Sequence, residues 1–172
     1  MSPIGAALLL AAAVGGTTAG GFEAPGELLR LPVRRAGDPV RPLDSLLHGA
    51  RAVVTLWATY CPPCRAEVPT LRHVARRWGR SGVRVIGIAI DIEEPAELAR
   101  ASAKWGIDYE TYWVPPDARD RAAALAPAGL PVTFFVGPDG VSRYDRLLVD
   151  ADVDTLIPRR LGIPPLPGPG DG

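Results

Sequence analysis

Ala52-Val53-Val54-Thr55-Leu56-Trp57-Ala58-Thr59-Tyr60-Cys61-Pro62-Pro63-Cys64 is the stretch on which the fold turns. Its first six residues are β-branched or apolar almost without interruption, the pattern of a central strand covered on both faces. Beyond it, Val68, Leu71, Val74, Ala75 and Trp78 recur at helical spacing. That spacing predicts a helix from about Cys61 to Trp78, ended by Gly79 and Gly82. The two cysteines therefore fall where a buried strand gives way to a helix.

Outward from this junction, strand and helix patterns alternate. Residues 83–90 read as a second buried strand. Pro95 at a first helical position opens a helix that closes at Trp105-Gly106. Residues 109–114 suit a short strand and 118–126 a short helix. Residues 132–136 form a third apolar strand, 137–140 a tight turn, and 141–148 its antiparallel partner. Residues 150–161 suit one last helix. Upstream, 42–47 read as a helical turn ending at Gly49, and 20–31 carry little pattern. The expectation is an α/β protein with a central mixed sheet flanked by helices.

The whole chain bounds what this domain can be. Its 172 residues suffice for one domain with a sizeable core, and 47% are hydrophobic. Nineteen basic and nineteen acidic residues cancel, so no clustered basic surface points to nucleic acid. Residues 4–16 are an almost unbroken apolar run, shorter than the roughly 20 residues of a bilayer span. The run suits a secretory signal with small residues up to Ala19, although no Lys or Arg precedes it. An uncleaved membrane tether through residues 4–16 and a mis-chosen start are the rival readings. The expected organisation is a signal or anchor over 1–20, one domain over 21–162, and a disordered Pro/Gly-rich tail over 163–172.

Only two cysteines exist, three positions apart, so they act as a unit and not as part of a disulfide framework. At a helix N-cap, unpaired N–H groups and the helix dipole favour negative charge. That lowers the pKa of Cys61 and makes it a nucleophile. Cys64, one turn on and deeper, is placed to attack a mixed disulfide formed by Cys61. Pro62 stands where a missing N–H costs nothing.

Other readings compete. A zinc site needs two more ligands; the histidines are His48 and His73, and His73 lies about 13 Å along the helix on its opposite side. A copper carrier lacks ligands for the same reason. A purely structural disulfide closing so small a loop stabilises little. No cofactor and no metal are expected.

The quoted stretch, with Leu130-Pro131-Val132-Thr133-Phe134, resembles the active site and cis-proline segment of the thioredoxin superfamily. Arg65-Ala66-Glu67-Val68-Pro69 after the second Cys is similar to the extracytoplasmic TlpA/ResA-like branch, as is a lengthened central β-α insertion, here residues 91–112. The resemblance covers residues 22 to 162. It implies a thioredoxin-like fold and a thiol–disulfide oxidoreductase outside the cytoplasm, periplasmic or in the cell envelope, exported or anchored. It implies client protein disulfides, in some members those of apocytochrome c or copper-site assembly proteins, and an upstream thiol donor, membrane-bound or free. The cis-proline maps to Pro131, which with Leu130, Tyr60 and Trp57 would hold a substrate chain beside Cys61.

Two positions depart from the superfamily. Tyr60 stands where Trp is common, and Thr55 stands where cytoplasmic thioredoxins carry a buried Asp. Thr55 cannot take the proton of Cys64. Glu67, one turn beyond Cys64 on the same face, is the candidate; the alternative is a solvated helix residue favoured by the dipole. The leading function is reduction of disulfides in exported proteins. A disulfide oxidase or isomerase, and a redox-inactive module binding through the cis-proline groove, are the alternatives. Pro62 and Pro63 have no N–H to offer the Cys61 thiolate, which favours the reducing direction.

Overall fold

The computed structural model describes residues 24–166. The expected signal or anchor over 1–20, including the tether at 4–16, lies outside the described residues, as does the tail from 167 onward. Ile163 and Leu166, at the start of that tail, pack against the core.

Five strands form one sheet in the order β5-β4-β3-β6-β7. Central β3 (Ala52–Trp57) runs parallel to β4 (Arg84–Ala89) and antiparallel to β6 (Val132–Gly137). β5 (Glu110–Trp113) continues parallel at one edge, and β7 (Gly140–Tyr144) lies antiparallel at the other. All six residues of β3 are buried, as a near-continuous apolar run requires. The lengthened insertion is a complete α-β unit: helix α4 (Pro95–Trp105) and edge strand β5. Pro95 starts α4, and Gly106, at φ 69°, ends it in the left-handed conformation that glycine tolerates.

Alternation along β3 divides the core. Val54 and Leu56 face a layer with Ile86, Ile88, Phe134 and Leu28. This layer is closed by α1 (Ala24–Leu29), α2 (Leu43–Leu47) and α5 (Arg119–Ala124). On the opposite face, Val53 packs with Leu71, Val74 and Trp78 of α3 (Pro62–Trp78). Trp57 packs there with Cys61, Cys64, Ala89 and Leu98. No helix among the described residues is long and apolar enough to cross a membrane.

Three features differ from the sequence expectation. The poorly patterned lead-in over 20–31 holds α1, and a short hairpin follows it, β1 (Pro32–Val33) with β2 (Arg41–Pro42). An antiparallel bridge between Arg34 and Trp113 docks this hairpin on the edge strand β5. β7 leaves the ladder at Tyr144 instead of running to 148, because the Leu148 N–H turns inward to Glu67. The last helix is two, α6 (Asp150–Val153) and α7 (Leu156–Leu161). Pro158 accounts for the break: its ring excludes a helical carbonyl four residues earlier, at Asp154.

Candidate active site

Cys61 is the N-cap residue of α3, with extended backbone (φ −99°, ψ 98°) and Pro62 at the first helical position. Its Sγ accepts a hydrogen bond from the Cys64 N–H at 3.2 Å. That is the bond an N-cap side chain makes, here with a sulfur acceptor. Cys61 and Cys64 are joined by a disulfide and are both nearly inaccessible, at 6% and 3% exposure. They rest on Trp57, whose ring packs against Trp105 at a tilt of 48° with centroids 5.0 Å apart.

An apolar groove of about 400 Å³ opens beside the pair. Tyr60, Cys61, Pro62 and Pro63 make one wall, Ile90 a second, and Ala123, Ala126, Gly129 and Leu130 a third. Cys61 reaches the groove; Cys64 is not among its lining residues. Tyr60 is 71% exposed at the rim. The Leu130–Pro131 peptide bond is cis, with Leu130 on the groove wall. Trp57 lies behind the cysteines and does not line the groove. Tyr60, Cys61 and Leu130 are thus brought together on one surface, and Trp57, Cys64 and Glu67 lie in the interior.

Glu67 is 1% exposed, not solvated. Its Oε1 accepts from the Leu148 N–H at 2.8 Å and its Oε2 from the Thr55 hydroxyl at 3.2 Å. Burial pushes the carboxyl up to about 7 against the opposing pull of these donors. The Thr133 hydroxyl lies close enough to pull the same way. It does not reach hydrogen-bond geometry, so the carboxylate has two hydrogen-bond donors. Burial, and then the charge of Glu67, raise the pKa of Tyr109. A carboxyl poised near neutrality can hold or release a proton there at little cost.

Several site residues carried no signal in the sequence. Thr55 reads as a lost proton acceptor; in the structure its hydroxyl donates to the Glu67 carboxylate. Ile90 is legible only as a strand end. The small residues Ala123, Ala126 and Gly129 resemble any short helix and turn, and only the fold brings them opposite Cys61.

Comparison with known proteins agrees with this geometry. The Redoxin family model matches residues 35–144, which hold the sheet, α3 and the cysteine pair. A relative from Allochromatium vinosum, the thiol:disulfide interchange protein DsbE, is 34% identical over 118 residues, 67% of this chain and 62% of its own. The thiol-disulfide oxidoreductase ResA of Oceanobacillus iheyensis is 28% identical over 96 residues, 55% of this chain and 47% of its own. The chain thus spans about half to three fifths of the length of these curated relatives. A secreted Mycobacterium tuberculosis disulfide oxidoreductase superposes with a TM-score of 0.57 at 24% identity, covering 78% of this chain and 96% of that one. That structural likeness establishes the thioredoxin-like fold. With the family match spanning the sheet and both cysteines, and with relatives of the DsbE and ResA kind, the chain belongs to the redoxin family, as its TlpA/ResA-like resemblance implies.

Proposed function

We propose that the protein is an extracytoplasmic thiol–disulfide oxidoreductase that reduces disulfides of exported proteins. One observation supports this above the others: of the two cysteines, Cys61 lines the groove and Cys64 does not. In the reduced state the Cys61 thiolate attacks one sulfur of a client disulfide. A mixed disulfide forms and the client's other sulfur leaves as a thiolate. Cys64 then gives its proton to Glu67 and attacks Cys61 Sγ. The second client thiol is released, and the two electrons have moved to the client. The enzyme is left with the Cys61–Cys64 disulfide and needs an upstream thiol donor to be reduced again.

The direction rests on the motif. Pro62 and Pro63 leave the Cys64 N–H, at 3.2 Å, as the first backbone donor beyond Cys61. A sparingly stabilised thiolate makes the dithiol the stronger reductant. Tyr60, Leu130 and Pro131 are the residues to hold the client chain at the groove, while Trp57 supports the cysteines from behind. The names of the DsbE and ResA relatives support disulfide clients; apocytochrome c and copper-site proteins are the classes the family resemblance implies. Titration against glutathione tests the direction. A potential near the roughly −270 mV of thioredoxin supports it, and one near the roughly −120 mV of DsbA rejects it in favour of an oxidase.

A further inference from the structure

Ile90, the residue after the C-terminal end of β4, forms one wall of the groove. The Ile90 N–H donates to the Trp57 carbonyl at 3.0 Å, and its side chain lines the groove. Ile92 is buried in the same cluster as both cysteines. Its carbonyl accepts from Arg119 Nη2 at 3.0 Å, and Arg119 Nη1 donates to Glu93 at 3.1 Å. Arg119 begins α5, which carries Ala123 to the groove.

Between Ile90 and Ile92, Asp91 reaches the other way. Its Oδ2 accepts two hydrogen bonds from Thr59, one from the backbone N–H at 2.8 Å and one from the hydroxyl at 2.5 Å. Thr59 stands two residues before Cys61, inside a turn closed by the Cys61 N–H on the Ala58 carbonyl at 3.1 Å. Asp91 Oδ1 is shut off from solvent without a hydrogen-bond partner. A strand-end aspartate of no consequence would keep both oxygens in water; desolvating one unpaired costs free energy. The carboxylate is spent on holding the turn that delivers Cys61.

We propose that Asp91 is a positioning residue: acting through Thr59, it fixes the turn so that Cys61 Sγ stands at the N-terminus of α3, and thereby sets the acidity of that thiol. This rests on the redox reading of the cysteine pair. The charged groups nearest the turn in the chain and its contacts are Asp91 itself, Arg65, whose N–H bonds the Cys61 carbonyl at 3.3 Å, the mutually bonded Arg119 and Glu93, Glu97, whose carboxylate accepts from the Glu93 N–H at 3.2 Å, and Glu67 beyond Cys64. Position and charge act with opposite signs. Thr59→Val cuts the hydroxyl bond and leaves the Asp91 charge, so Sγ drifts from the helix N-terminus and its pKa rises. Asp91→Asn keeps an acceptor oxygen and removes a negative charge, so the pKa falls.

The test is the rate of Cys61 alkylation by iodoacetamide against pH, in full chain carrying Cys64→Ser, where Cys61 is the sole thiol. Thr59→Val should raise the midpoint by about half a pH unit and slow alkylation at neutral pH about threefold, since thiolate is the reacting form. Thr59→Ser, which keeps the hydroxyl, should restore the wild-type midpoint, and Asp91→Asn should lower it. Thr59→Ala removes the same donor if the valine variant does not fold. An unchanged or lowered midpoint in Thr59→Val or Thr59→Ala, whatever happens to the melting temperature, overturns the proposal and leaves the clamp as structural only. Alkylation reads Cys61 whether or not the protein turns over a disulfide. Failure of the wild type to reduce any protein disulfide would therefore count against the proposed function alone.

Discussion

Thr55 of β3 and Glu67 of α3 meet across the sheet–helix interface, hydroxyl to carboxylate, at 3.2 Å. The register makes this meeting possible. Thr55 sits between Thr133 of β6 and Gly87 of β4, so the sheet beneath the carboxylate offers one short polar pair and one glycine. With Leu148 N–H on the other oxygen, Glu67 is supplied with donors but dry. Desolvation outweighs the donors, and its pKa rises to about 7.

That shift ties stability to pH. The carboxyl is raised above its unfolded value of 4.5, so the native state holds a proton that the unfolded state has released. The contribution is full below pH 4.5 and is lost as pH climbs to about 7. Glu67→Gln, which cannot ionise, should remove this decline. Between pH 4 and pH 8 the variant should gain on the wild type by an amount on the order of 3 kcal/mol. Chemical denaturation of the oxidised proteins at the two pH values checks it; parallel pH profiles would show that Glu67 does not titrate there.

Thr55→Val deletes the donor to Oε2 and keeps the shape. The Glu67 pKa should rise further, because a hydrogen bond that favours the charged form is gone. The midpoint of the stability decline should move upward by about half a pH unit to one unit. Resolution of the mixed disulfide should slow at neutral pH, as fewer Glu67 carboxylates are free to take the Cys64 proton. Stopped-flow release of the client thiol follows it.

How much of this was legible depends on how local each signal is. β3, α3, β4 and α4 are legible because continuous apolar runs, helical spacing and Pro95 are local. The cysteine pair was read from its place at a junction. The first hairpin was not, since Pro32–Val33 and Arg41–Pro42 are too short to show a period and owe their pairing to docking beside Trp113. The end of β7 is not legible, because the apolar Leu147 and Leu148 suit a continuing strand while the Leu148 N–H is claimed by Glu67, 81 residues away. The burial of Glu67 was invisible for the same reason. Thr55 and Leu148 become its partners only once the sheet is assembled.

Gly87 is a packing requirement of this site. A Cβ there would lie 3.1 Å from Trp57 Nε1 and 3.1 Å from Tyr109 Cε2. Gly87→Ala should push the indole and cost about 1–3 kcal/mol of stability. Because Trp57 underlies the disulfide, the fluorescence change on reduction should alter as well. Denaturant melts with intrinsic fluorescence in both redox states check both effects.

The proline pair gives a prediction on potential. Pro63→His restores an N–H two residues beyond Cys61 and adds a side chain that can carry positive charge, and both stabilise the thiolate. The potential should rise by about 30 mV or more, where 30 mV corresponds to about 1.4 kcal/mol for this couple. Redox titration against glutathione measures it; a fall would mean that the prolines do not set the direction.

The account stands on Cys61 being the sulfur that meets the client at the groove and Cys64 the one that resolves it. The direct measurement is peptide mapping by mass spectrometry after each reduced single-cysteine variant meets a model protein disulfide. Cys64→Ser should accumulate a long-lived mixed disulfide on Cys61, while Cys61→Ser should form little adduct and neither should turn over. Adduct accumulating on Cys64 in the Cys61→Ser protein, with Cys64→Ser remaining free, would contradict the account.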